Sequence, residues 1–295
     1  MWAEFRDVLI DGVQKKKLIC PNSLEHMVES AGLEDRRAIE LDALLRKLSD
    51  GYSVELELQL IIRQLIGRLR NRNVSDDQVL KRDLLKPMTA EALVQLRQMR
   101  AGIFEQNTTA MQSVNEFNSL VGPRKKWGNK QLLDFLIQLR SQRSYLNPLI
   151  AELRRLSRTG FSIVTHNTSD RRFADWSSSI VVTLTKNEAL TDHDVSQLIE
   201  LLESEGLAFI PTLKIKASLE AMQFFRSERI EPRDQYDITR AACALPYADF
   251  YVTDGGKAAA IRELKLDQEF KTTVYSTKES NLRAAIETIS TLASG

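Results

Sequence analysis

Three acidic side chains stand out by type and position: Glu29, Asp237 and Asp254. Asp254 ends the apolar run Phe250-Tyr251-Val252-Thr253, Asp237 opens the helical stretch before it, and Glu29 follows the run Leu18-Ile19-Cys20. If these runs are strands of one parallel sheet, the acids gather beyond the strands' carboxyl ends, where such sheets collect ligands. Carboxylates held close together repel one another, and a hard divalent cation relieves that. Mg²⁺ or Mn²⁺ prefers oxygen ligands and keeps several waters, so a few carboxylates suffice. Such an ion activates a water and stabilises charge on a phosphodiester under attack. The spacing admits a plainer reading too. Asp237 is then a first-turn acid favoured by the helix dipole, Asp254 a turn residue before Gly255-Gly256, and Glu29 part of a solvated face. Asp249 heads the strand that Asp254 ends, about 16 Å away at roughly 3.3 Å per residue, and belongs to the opposite edge.

Basic residues recur in the middle of the chain: Arg63, Arg68, Arg70 and Arg72, then Arg124-Lys125-Lys126-Trp127 with Lys130, then Arg154, Arg155 and Arg158. These are either phosphate contacts, with Trp127 free to stack on an unpaired base, or solvated helix faces. Gly255-Gly256-Lys257 is no phosphate loop, because it lacks the earlier glycine and the following Ser or Thr. Cys243 and Phe224-Phe225 read as core, and His26 as a helix-surface histidine.

The positioning elements follow from periodicity. A stripe of Trp2, Phe5, Val8 and Leu9 predicts a first helix. Leu18-Ile19-Cys20 predicts a buried strand, and Asn22 or Ser23 can cap the helix SLEHMVES. From 33 to 206 helical spacing dominates, as in Leu41, Leu44, Leu45 and Leu48 or Leu58, Ile61, Ile62, Leu65 and Ile66. Ser162–Val164 and Ile180–Leu184 are the candidate strands there. From 207 onward strand and helix alternate: LAFIPTLKI a strand entering a loop, ADFYVTD and TTVYS strands, helices between and after them. That order predicts an α/β domain with a parallel sheet covered on both faces, split as 1–32 and 207–295 around a helical insertion at 33–206.

Composition narrows the function classes. Of 295 residues, 43% are hydrophobic and 27% charged, which argues for a folded chain. The longest stretch without an acidic or basic residue is 11 residues, Thr159–Ser169, short of the roughly 20 that cross a bilayer. The start, MWAEFRDVLI, reads as no secretory signal. Two distant cysteines, Cys20 and Cys243, exclude a disulfide scaffold and suit a reducing cytosol. His26, His166 and His193 are too scattered for a histidine metal site. With a formal charge of +1 the whole-protein field selects no partner, so any nucleic-acid contact must come from local patches.

The stretch DQYDITRAACALPYADFYVTDGGKAAAI resembles the C-terminal half of PIN-like nuclease domains, and KLICPNSLEHMVES resembles their second strand and the following acidic helix. The resemblance implies a PIN-like parallel sheet and a metal-dependent ribonuclease acting on RNA. Glu29, Asp237 and Asp254 would then bind Mg²⁺ or Mn²⁺ as catalytic residues, with Thr253 beside them. Glu25 and Asp234 are the alternates for Glu29 and Asp237. Arg124, Lys125, Lys126 and Trp127 would guide RNA. A toxin, an anti-phage effector and an RNA-processing factor all fit. Family members begin with a strand ending in a further Asp, whereas this chain opens on the next helix. That departure sets up the rival expectation, a degenerate PIN-like module whose insertion binds a protein partner or a second copy.

Overall fold

Among the described residues the 3.6-residue apolar periodicity becomes helix, and strands are few and short. The structure is a computed structural model that describes residues 1–102, 130–159, 176–188, 190–226, 231 and 233–294. Its elements begin with α1 (Trp2–Gln14), α2 (Leu24–Ser30), α3 (Asp35–Ser49), β1 (Tyr52–Val54), α4 (Glu57–Leu69), α5 (Asp76–Val79), β2 (Leu80–Arg82) and α6 (90–102). They continue with α7 (Lys130–Arg140), a π-helical turn (Ser141–Leu146), α8 (Asn147–Thr159), α9 (Trp176–Asn187), α10 (Asp192–Glu205) and α11 (Pro211–Arg226). The last are α12 (Asp234–Ala244), β3 (Phe250–Thr253), α13 (Gly255–Glu263), α14 (Leu266–Phe270), β4 (Thr273–Ser276) and α15 (Glu279–Ser294). Helix and strand are therefore mixed, with helix dominant. Among the described residues the strands form two sheets of two strands each, β1–β2 and β3–β4.

Two compact units divide the chain. The first joins Met1–Leu56, Asp76–Gly122 and Glu228–Gly295; the second joins Glu57–Ser75 and Pro123–Ser227. These bounds are not those read from the sequence, because α3 and α6 fall in the first unit and α11 in the second.

In the first unit α1 lies along α15. Phe5 packs with Leu282, Ala285, Ile286 and Ile289, and Val252 and Tyr275 reach the same cluster from the sheet. β3 and β4 pair in parallel from Phe250↔Thr273 to Thr253↔Ser276, and α13 and α14 supply the crossover that parallel strands require. The expected strand at Leu18-Ile19-Cys20 does not form. Leu18 instead tucks against Gly12, where an added Cβ would collide with its Cδ1, and Ile19 is 52% exposed. Three apolar residues without a hydrogen-bonding neighbour do not make a strand. The pairing begins only at Asn22, which makes an isolated parallel bridge to Ser53. Asn22 N donates to the Tyr52 carbonyl at 3.0 Å, and Val54 N donates to the Asn22 carbonyl at 2.8 Å. A second cluster, Met27, Ala31, Ala38, Met88 and Leu93, joins α2, α3 and α6. Buried Asp42 fastens it, accepting from Arg46 Nε and from the Met88 backbone N–H, each at 2.9 Å.

The second unit is a helical assembly around one large core that includes Leu65, Leu149, Leu153, Ile180, Leu184, Leu198, Leu202 and Ile210. Ile180–Leu184, a candidate strand, lies inside α9 with Ile180 and Leu184 both fully buried one turn apart. Burial on one helical face overrides the strand preference of Ile180, Val181 and Val182. Ser162–Val164 lies outside the described residues. LAFIPTLKI is likewise no strand, because Pro211 starts α11, where a missing N–H costs nothing. α10 opens with a capping box between Thr191 and Asp194 and closes at Gly206, whose φ of 63° and ψ of −135° suit only glycine.

Between α7 and α8 the helix widens into the π turn, and Asn147 N donates to the Gln142 carbonyl five residues back. In a regular α-helix residues five apart point about 140° away from each other. The wider turn lets Arg140 Nε and the Tyr145 hydroxyl both donate to Glu220 Oε2 of α11, each at 2.8 Å. Among the described residues no helix is long and apolar enough to cross a membrane.

Candidate functional site

α2 forms where Ser23 caps it, accepting the His26 N–H at 3.3 Å, and so presents Glu29 near its C-terminal end. α12 carries Asp237 in its first turn and Arg240 one turn later. These helices bring Glu29 and Asp237 to one place, and a cation already stands between them. Arg240 Nη1 donates to Glu29 Oε2 at 2.7 Å, and Arg240 Nη2 donates to Asp237 Oδ1. The Arg240 side chain is 15% exposed. Burial works against its charge. Hydrogen bonding to Glu29 and the charges of Asp237 and Glu29 more than offset burial and hold the guanidinium above its usual value.

Asp254 has a different occupation. It is the N-cap of α13, with Oδ1 accepting from Gly256 N at 2.8 Å and Lys257 N at 2.9 Å. A helix cap stands where the plainer reading of the sequence placed a turn. Asp254 still belongs to the same neighbourhood through Tyr251. Burial raises the Tyr251 hydroxyl well above its usual value, Asp237 and Asp254 push the same way, and Arg240 and Thr253 oppose them. His26 faces the cluster from α2, its Nδ1 3.3 Å from Ser23 Oγ. Burial first, and then the positive charge of Arg240, lower its pKa to about 4 against the pull of Asp237, so the ring is neutral at pH 7. Of the two alternates, Asp234 accepts the Glu231 N–H at 2.8 Å, and Glu25 lies in the first turn of α2.

No family model matches the chain, and neither does any curated protein or solved structure. The site's chemistry therefore rests on its own geometry.

That geometry does not fit a divalent cation. Glu29 and Asp237 each accept from Arg240, and one Asp254 oxygen accepts two backbone N–H groups. Among the described residues no group of three His, Cys, Asp or Glu side chains is arranged to hold a metal ion. Burial pushes the Cys20 thiol up to about 11, so this thiol stays protonated at pH 7.

The basic patches change character as well. Arg124, Lys125, Lys126 and Trp127 lie outside the described residues. Of the others, Arg68 makes a forked pair with Glu205, Arg154 pairs with Glu203, Arg155 with Glu152 at 2.8 Å, and Arg70 with Glu188 at 3.7 Å. Guanidinium groups already facing carboxylates release fewer counterions on meeting phosphate. The residue that sequence reasoning missed is Arg240. Its spacing of three from Asp237 on a helix is a readable ion-pair signal. Its second partner, 211 residues earlier, is not.

Proposed function

We propose that this chain is a PIN-like binding module that engages a protein partner and does not hydrolyse RNA. The observation that carries the proposal is the Arg240 guanidinium spanning Glu29 and Asp237, the two acids that would otherwise share a metal ion. The PIN-like parallel sheet is part of the proposal. It draws support from the parallel β3–α13–α14–β4 unit and from the Asp237-to-Asp254 run that it contains. A protein partner is favoured over RNA because Arg68, Arg70, Arg154 and Arg155 of the second unit face acids. A cytosolic setting, inferred from two thiols outside any disulfide, belongs to the same proposal.

One observation favours the other reading, a Mg²⁺- or Mn²⁺-dependent ribonuclease of the toxin or anti-phage kind. Asp237 and Asp254, from different elements, both raise the pKa of the Tyr251 hydroxyl of β3. That enzyme would require Arg240 to release both acids. The deciding experiment incubates generic single-stranded RNA with the parent and with Asp237→Asn, in Mn²⁺ and in chelator. We expect no divalent-dependent cleavage by either. Cleavage by the parent that Asp237→Asn abolishes reinstates the ribonuclease.

A further inference from the structure

We infer that Arg240 is the built-in counter-ion of this site: one guanidinium, fixed by the fold, offsets one of the two charges of Glu29 and Asp237 and fastens α2 to α12. Converging carboxylates create a demand for positive charge that an ion from solution could satisfy. Here a side chain meets half of that demand. The planar fork matters, because two nitrogens of one group reach two acids on two helices, which a point-charge ammonium does less well.

Asp237, three residues before Arg240, holds the guanidinium near its own helix, so the bond to Glu29 is the one that carries tertiary information. α2 has seven residues, too few to persist alone in water. It is secured at one end by the Ser23 cap and near the other by Glu29, its penultimate residue. The guanidinium is little exposed but the Glu29 side chain is half exposed, so salt screens the Arg240–Glu29 attraction in part. The inference concerns how the site is held together and not what it binds. Its readouts are stability and exchange, so it can fail while the binding module stands, and the converse also holds.

The test is a double-mutant cycle on the full chain. Thermal melting and amide exchange in α2 are measured for Arg240→Ala, for Glu29→Gln with Asp237→Asn, and for all three changes together. Arg240→Ala is expected to lower melting by about 5 °C and speed exchange in α2, and to do much less in the background without the acids. If Arg240→Ala alone does not fold while the triple variant does, the same coupling is shown in stronger form. Arg240→Lys, which keeps charge but not the fork, should fall between parent and Arg240→Ala. Millimolar Mn²⁺ should leave the parent's melting where chelator leaves it. Equal losses from Arg240→Ala in both backgrounds would overturn the inference. So would a rise of the parent's melting in Mn²⁺ that Asp237→Asn removes.

Discussion

The Tyr145 hydroxyl donates to Glu220 Oε2 at 2.8 Å from within the apolar core of the second unit. Burial, and then the charge of Glu220, hold that hydroxyl well above its usual pKa, so it stays protonated and remains a donor. Arg140 completes the arrangement on the same oxygen. Glu220, 8% exposed, is thus a buried carboxylate satisfied by one neutral and one charged donor.

Removing these partners should cost unequal amounts. Tyr145→Phe keeps the ring and deletes one hydrogen bond, which should cost about 1–2 kcal/mol. Glu220→Leu leaves both Arg140 and the Tyr145 hydroxyl without their acceptor and should cost about 3–5 kcal/mol. Denaturant unfolding ranks the two, and equal losses would remove Glu220 from the centre of the network.

His26 sets a pH signature for the first unit. Its pKa is lowered from 6.5 to about 4 on folding, so the unfolded chain binds more protons across that interval. The associated stability is complete above pH 6.5 and is lost as pH falls toward 4, on the order of 2 kcal/mol after allowance for partial exposure. His26→Gln should flatten that part of the curve. Denaturant midpoints measured across this range in parent and variant would expose a wrong assignment if the two curves ran parallel.

Asp254 separates capping from metal binding. Asp254→Ala should cost about 1 kcal/mol through loss of the cap, whereas Asp254→Ser, itself a good N-cap, should stay close to the parent. An indispensable metal ligand would not tolerate serine so readily. Thermal melting of both variants, compared with Asp249→Asn as a control outside the cap, gives the answer.

Gly67 is a packing requirement in the second unit. A Cβ there would lie 2.7 Å from the Arg72 carbonyl oxygen, in the turn where Arg72 N donates to the Gly67 carbonyl at 2.7 Å. Backbone cannot swing aside as a side chain does, so Gly67→Ala should destabilise by about 1–3 kcal/mol. A variant as stable as the parent would mean that the turn relaxes freely.

What the sequence made legible was local. Ser23 reads as a cap because Leu24–Ser30 follows it, and β3, α13 and β4 each carry their own signals within a few residues. The illegible parts depend on distant partners. Leu18-Ile19-Cys20 is apolar enough for a strand but has no strand beside it, and Ile180–Leu184 is β-branched yet sits in a helix core. Pro211 ends nothing and begins α11, a choice settled by packing of Leu213 and Ile215. Glu29, Asp237 and Asp254 read in the sequence as acids awaiting a metal ion, and in the structure Glu29 and Asp237 face the Arg240 guanidinium. Which cation depended on a hydrogen bond spanning 211 residues, beyond any local pattern.

The π turn also sets the rotational phase of everything that follows it in that helical rod. Leu133 of α7 and Leu149 of α8 are both buried, yet 16 residues of regular α-helix would turn them about 160° apart. Absorbing one residue at Ser141–Leu146 takes back about 100° and returns both leucines to neighbouring sectors. Winding this turn into regular α-helix with no residue removed would therefore act as a twist. It would swing Leu149, Leu153 and Leu156 together away from the core they now fill, while leaving every helix propensity in the rod intact.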